Sequence, residues 1–278
     1  MATQDDVRRW WTENPMTYDW RGEIPHEPGS PEHLAEVERR FLAEAWFAQR
    51  PGAAPFSALI PFDELRGNDV LEIGCGTGVH TKLLAEAGAR VSAVDLTPTA
   101  VALTRRRLEL AGLSADVREA DAESLPYDDS SFDFMWSWGV IHHSADTDRV
   151  IAEIARVLRP GGRIAFMVYH RTSITFWLNY VLYRGVLRGG LLHESPDELA
   201  NRWSDGVLAR HYTRRRLTES LRPWFENIET QVMGQIGEAI PLPSRIRQPL
   251  ARIVPRGPQE ATLRRLGWFL FATARRRA

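Results

Sequence analysis

Residues 70–79 read Val70-Leu71-Glu72-Ile73-Gly74-Cys75-Gly76-Thr77-Gly78-Val79, and this stretch decides the fold. Val70 to Ile73 is a short, mostly apolar run of the kind that forms a buried strand. Three glycines at alternate positions follow, and a helical pattern runs from Val79 to Ala87. Glycine lacks a Cβ, so such a turn can double back sharply and admit a ligand against its backbone. The spacing departs from the G-x-G-x-x-G dinucleotide fingerprint, because position 79 is Val and the third glycine is Gly78. The Lys-Ser or Lys-Thr of a P-loop is missing too.

Downstream of the turn, strand and helix signals alternate. Arg90 to Asp95 reads as a second strand, and Thr97, with Pro98 beside it, caps a helix to Ala111. Asp116 to Ala120 reads as a third strand and Phe132 to Trp138 as a fourth. A helix from Thr147 to Leu158, the turn Pro160-Gly161-Gly162 and a fifth strand from Arg163 to Tyr169 complete the series. This alternation predicts an α/β fold: a Rossmann-like, doubly wound sheet, mostly parallel. Ligands on that architecture lie at the C-terminal ends of the strands. Asp95 ends the second strand about 20 residues beyond the turn, where a carboxylate can accept both hydroxyls of a ribose.

The flanks are less regular. Pro25 to Pro31 reads as a loop. Ser30 and Pro31 start a helix whose apolar face carries Leu34, Val37, Phe41, Leu42, Ala45 and Trp46. A second short helix is expected from Ala53 to Leu65. Beyond the fifth strand, Ile174, Trp177, Leu178, Val181 and Leu182 keep helical spacing, and Thr213 caps a helix through Leu221. Phe225 to Gln231 and Trp268 to Ala274 read as strands that pair at the sheet edge, giving an antiparallel edge strand. The expected segments are an N-terminal helical lid (1–66), a core (67–170), a cap insert after the fifth strand (171–211) and a C-terminal helix with edge strands (212–278).

Composition limits the function classes. With 278 residues, 44% hydrophobic and 26% charged, the chain is neither disordered nor a disulfide scaffold. Cys75 is the single cysteine, so no internal disulfide can form. The longest notable charge-free apolar stretch, Thr172 to Tyr183, is shorter than the roughly 20 residues a bilayer requires. Met1 to Trp11 contains Asp5 and Asp6 and lacks the apolar run of a signal peptide, so a cytoplasmic location is expected. The net charge of -1 hides a polarity: residues 1–150 hold 26 acids against 14 bases, and the rest hold 10 against 21.

The segment Leu71 to Gly78 resembles motif I of the class I S-adenosylmethionine-dependent methyltransferases. Further matches follow in order: Val94-Asp95; Asp121-Ala122-Glu123-Ser124-Leu125-Pro126; Ser131-Phe132-Asp133-Phe134-Met135-Trp136-Ser137; Val140-Ile141-His142-His143; and Leu158-Arg159-Pro160-Gly161-Gly162. They cover residues 69–170 and are most similar to the small-molecule branch that includes the ubiquinone and menaquinone biosynthesis type. The resemblance implies S-adenosyl-L-methionine as cofactor, with S-adenosyl-L-homocysteine as product. It assigns Gly74, Cys75, Gly76 and Gly78 to a cradle for the methionine part, and Glu72 to orienting its ammonium. Asp95 would bind the ribose, Leu96 would lie against the adenine, and Asp121 with the Ala122 backbone would bind the adenine amino group. The Trp138 carbonyl would face the methionine ammonium.

A sulfonium methyl is already activated, so transfer by direct displacement needs mainly alignment. A base helps remove a proton from the acceptor, and His titrates in the right range. His142 and His143 follow the fourth strand, where acceptor and cofactor should meet. His142 matches an active-site His of phosphoethanolamine-type methyltransferases, which pair it with a tyrosine of the N-terminal segment; Tyr18 is the candidate here. No metal site is expected, since adjacent histidines point apart and no Cys or Glu stands at ligand spacing.

The acceptor pocket of this family comes from the N-terminal segment and the insert after the fifth strand. Both are aromatic here, with Trp10, Trp11, Tyr18, Trp20, Tyr169, Phe176, Trp177, Tyr180, Tyr183 and Trp203. Arg184, Arg188, Arg202, Arg210, Arg214, Arg215 and Arg216 stand around them. A partly apolar and anionic small molecule, or a lipid-like one at a membrane surface, fits both features. Two other readings are a nucleic-acid methyltransferase and a non-catalytic binding protein of the same fold. Against the first, Ser137-Trp138-Gly139-Val140 replaces the Asn-Pro-Pro-Tyr type motif; against the second, the glycines and acids of the cofactor motifs are intact.

Overall fold

The computed structural model describes residues 2–17, 22–235, 253 and 255–278. β1 (Asp69–Ile73) lies near the middle of one sheet. β2 (Arg90–Asp95) and then β3 (Asp116–Glu119) pair parallel on one side of it. β4 (Phe132–Trp138) and then β5 (Leu158–His170) pair parallel on the other. The strand order β3-β2-β1-β4-β5, continued by two C-terminal strands, therefore reverses direction between β1 and β4. That is the switch point where open α/β sheets bind ligands, and the glycine turn leaves β1 there.

Helices cover both faces because the central strands β1, β2 and β4 are apolar on both. Val70, Ala93, Phe134 and Trp136 enter one buried cluster with Val79 and Leu84 of α3 (Val79–Glu86) and Val101 of α4 (Pro98–Ala111). Leu71, Ile73, Val94 and Met135 enter the other, with Val150, Ile151 and Ile154 of α5 (Thr147–Val157). Leu71 is fully buried opposite Met135 in the β1–β4 register. Each such side chain contributes roughly 1.5–3 kcal/mol through burial.

The C-terminal strands join the sheet as a pair. β7 (Phe225–Met233) and β8 (Phe269–Arg276) run antiparallel to each other, and β8 runs antiparallel to β5. The antiparallel strand β8 thus sits one place in from the edge, and β7 forms the edge itself. The two-residue β6 (His211–Tyr212) pairs parallel with the end of β5.

Two local readings change. Residues 53–65 form turns and one short 3₁₀ segment, Phe62–Glu64, rather than a helix. Pro55 and Pro61 each remove a backbone donor from that stretch. Conversely, Gln4–Glu13 forms a helix, α1, held by a reciprocal Thr3–Asp6 capping box. α2 (Pro31–Glu44) begins at the Ser30 cap as expected. The cap segment folds as a wide π-type helix, Phe176–Leu187, a 3₁₀ turn, Gly190–Leu192, and α6 (Pro196–Trp203).

Candidate active site

A cavity of about 400 Å³ opens beyond the C-terminal ends of β1, β2 and β4. Its two ends differ in chemistry. One is built from backbone and carboxylates after β1, β2 and β3; the other is built from aromatic rings of β4, β5 and β8.

At the first end, the glycine turn is dictated by space. Gly74 has φ +81°, and a Cβ there would stand 2.1 Å from Val140 Cγ2. Gly78, at φ +78°, would press a Cβ to 2.9 Å from the Thr104 backbone. Around Gly76 nothing lies within 4 Å of the Cβ position, so this glycine leaves open room beside the cavity. Asp95 is locked in place: Oδ2 accepts the Gly76 amide at 3.0 Å, and Oδ1 accepts the Thr97 amide and hydroxyl, each at 3.0 Å. Burial pushes its carboxyl above the ordinary carboxylate range. Cys75, Leu96 and Ala122 also line this end. The Cys75 thiol is buried and pushed far up by that burial, next to Asp95 and Glu72, so it stays protonated.

Glu72 and Asp121 adjoin residues of the cavity lining without being part of it. Glu72 is fully buried, accepts the Thr81 hydroxyl at 2.5 Å and is raised to about 8, chiefly by burial. Asp121 accepts Gln4 Nε2 and the Glu123 amide, both at 2.9 Å. Gln4 Oε1 in turn accepts the Ala145 amide at 3.0 Å. α1 is therefore stitched over the cavity by one glutamine that lines it, a residue missed by a sequence reading without that helix.

The other end is walled by Phe47, Trp138, Met167, Tyr169, Trp268 and Phe269. Ring centroids of Trp138 and Phe269 are 5.8 Å apart, and those of Tyr169 and Trp268 4.6 Å apart. His143 lines this end, with the edge of Trp11 packed 5.1 Å from its ring. Its Nδ1 lies 2.6 Å from the Leu208 carbonyl. A carbonyl only accepts, so the hydrogen sits on Nδ1 and Nε2 keeps its lone pair. Burial lowers this imidazole to about 4, so it is neutral near pH 7. Asp205 also lines the cavity, and its carboxyl is raised by burial.

His142 is placed differently from the sequence expectation of a residue at the reacting centre. It is fully buried behind the wall, packed at a tilt between His143 and Tyr169 with ring centroids at 4.1 and 4.0 Å, and neither ring nitrogen has a hydrogen-bond partner. Tyr18 lies outside the described residues. The cap arginines are occupied elsewhere. Arg184 lies over the Trp203 ring, Arg202 pairs with Glu194, and Arg210 donates to the Ser144 and Ala145 carbonyls. Among the described residues no Arg or Lys lines the cavity. Of the aromatics singled out from sequence, Trp11 and Tyr169 line it, whereas Phe47, Trp268 and Phe269 went unrecognised.

A methyltransferase-domain family model matches residues 71–166. The chain is 32% identical over 202 residues to a ubiquinone biosynthesis O-methyltransferase of Chelativorans sp. (strain BNC1), covering 69% of this chain and 73% of that one. Another of that name, from Xanthomonas euvesicatoria pv. vesicatoria (strain 85-10), is 31% identical over 166 residues, 56% of this chain and 70% of the relative. A solved S-adenosylmethionine-dependent methyltransferase from Mesorhizobium loti shares the fold, with a TM-score of 0.53 at 23% identity over 81% of this chain and 99% of that one. The chain belongs to the class I S-adenosylmethionine-dependent methyltransferases. It is an enzyme whose cofactor is S-adenosylmethionine, and its relatives act on small molecules.

Proposed function

We propose that this methyltransferase acts on a hydroxyl of an uncharged, largely apolar small molecule, with His143 as the base. The observation that carries this reading is His143 itself: a neutral imidazole at the cavity, its Nδ1–H tied to the Leu208 carbonyl and its Nε2 lone pair free to accept a proton. The rings of Trp138, Tyr169, Trp268 and Phe269 offer an apolar bed, and no described cation faces it. An anionic acceptor, the expectation from the arginine content, would leave its charge unpaired there. The names of the relatives, O-methyltransferases of ubiquinone biosynthesis and a 27-O-demethylrifamycin SV methyltransferase of Amycolatopsis mediterranei, support oxygen as the acceptor atom.

The first end of the cavity fits the cofactor. Gly76 supplies open room where any side chain would intrude, and Asp95 keeps a fixed carboxylate beside it. In this reading Asp95 takes the ribose hydroxyls, Leu96 lies on the adenine, and Asp121 with the Ala122 backbone takes the adenine amino group. Gly74, Cys75, Gly76 and Gly78 form the methionine cradle, while the Trp138 carbonyl and the buried Glu72 favour its ammonium. When bound, S-adenosylmethionine supplies a methyl on a sulfonium that departs as a neutral thioether. His143 Nε2 removes the hydroxyl proton as the oxygen closes on the methyl carbon, and the aromatic wall holds the acceptor in line.

A screen of phenols and alcohols against their carboxylated and phosphorylated counterparts, read by S-adenosylhomocysteine release and by mass of the methyl ether, tests this. Turnover on neutral hydroxyl compounds is expected. Turnover confined to amines, or to anionic acceptors, would overturn the reading.

A further inference from the structure

Large apolar side chains are seldom left in water over a continuous area. Here eight of the twelve that stand exposed among the described residues fall between Trp177 and Trp203. They sit on the π-type helix Phe176–Leu187, the Gly190–Leu192 turn and the end of α6, which pack on one another. Val186 is 58% exposed, Leu187 69% and Leu192 81%. The inner side of the same helix is not short of partners: Phe176 and Tyr180 are buried against Leu199 and Ala200. The outer side is therefore a surplus, not a defect of folding.

The charges on this face are one-sided. From Thr172 to His193 there is no Asp or Glu, and Arg184 and Arg188 are the only full charges. Neither guanidinium has a carboxylate partner among the described residues. Arg184 lies 3.6 Å from the Trp203 ring centroid and Arg188 5.7 Å from that of Tyr183. The nearby acids are committed elsewhere: Glu194 to Arg202, Asp197 to Arg171, and Glu198 to the Ser195 amide. Trp, Tyr, Leu and Arg without carboxylate partners, gathered on one surface, is the composition that lies in the headgroup region of a bilayer.

We propose that this face of the cap is a peripheral docking surface for an anionic membrane, with Leu187 and Leu192 inserted and Arg184 and Arg188 at the phosphate level. Among the described residues no helix is long and apolar enough to cross a membrane, so the contact is interfacial. A second copy of the chain fits less well. A two-fold contact sets the patch against itself, and this patch has no carboxylate to receive the partner's arginines. Tyr180 of the same helix packs 6.0 Å from Trp268, which walls the cavity, so docking would bring lipid close to the acceptor end.

Co-sedimentation of the full chain with vesicles tests this without any acceptor. Binding is expected to mixed phosphatidylcholine and phosphatidylglycerol vesicles, weaker to phosphatidylcholine alone, and weakened by salt. The double variant Leu187→Glu, Leu192→Glu should lose about tenfold or more in vesicle affinity while keeping its affinity for S-adenosylmethionine, which also reports an intact fold. Arg188→Gln, a milder change, should narrow the difference between the two vesicle types. Absence of vesicle binding, or binding unaltered in the double variant, would overturn the proposal. So would light scattering that shows a dimer of the parent chain and a monomer of the double variant.

Discussion

The two ends of the cavity are built by opposite means. At the end proposed for the cofactor, position is set by backbone: glycines in the left-handed region that other residues seldom adopt, and a carboxylate fixed by two amides and a hydroxyl. At the end proposed for the acceptor, position is set by packed rings and by His143, whose tautomer a loop carbonyl decides. Backbone geometry tolerates little change, so the first end can be shared by enzymes with different acceptors. Ring packing can be redrawn by substitution, so the second end is the freer of the two to change.

If that division holds, damage at each end should show in a different constant. The largest effect is expected from His143→Gln. Loss of a general base costs about 10²–10⁴-fold in turnover, while affinity for S-adenosylmethionine, measured by calorimetry, should stay within a factor of about two. Comparable turnover in the variant would remove His143 from the chemistry. His142→Gln serves as the contrast: it is expected to lower stability more than turnover, because the ring sits behind the wall.

Next in size is Asp95→Asn. Hydrogen bonds to a charged acceptor are worth about 1.5–3 kcal/mol, so cofactor affinity should fall by roughly tenfold or more, with acceptor KM little altered. Gly78→Ala should follow at a lower level. The left-handed conformation costs a non-glycine residue about 1–2 kcal/mol, and the Thr104 backbone is already in contact range. Cofactor affinity and thermal stability should drop together, and a variant as stable and as tight-binding as the parent would break the space argument.

The same division explains what could be read from the chain. The β-α alternation from Val70 to Tyr169 and the position of Asp95 are legible because local rules fix them: strand period, helix caps and glycine in tight turns. Phe47, Trp268 and Phe269 were not, because nothing local marks an aromatic residue as cavity wall. Their role comes from β8 inserting antiparallel beside β5 and from the turn after α2 folding over β4. Gln4 escaped for the same reason: its bonds to Asp121 and Ala145 span more than a hundred residues. The charge polarity does not mark the cavity: arginines of the basic half face carbonyls, rings and surface acids.

The smallest effect separates burial at the two ends by pH, in the cofactor-free protein. His143 is lowered from 6.5 to about 4, and His80 and His211 to about 3, all mainly by burial. Below pH 6.5 the unfolded chain takes up protons that the folded one refuses, so this part of stability is full above 6.5 and is lost as pH falls toward those values. Glu72 works in the other direction. Raised from 4.5 to about 8, it stays protonated in the folded state, so its contribution is full below 4.5 and is lost as pH rises through 8. Glu72→Gln should therefore leave the acid limb of a Tm–pH curve unchanged and flatten the alkaline limb. The Tm gap between variant and parent should widen in the variant's favour from pH 5 to 8, at roughly 2–4 °C for each kcal/mol. A gap that is constant with pH would mean that Glu72 is already ionised in the fold, and that the cofactor end holds its negative charge before any cation arrives.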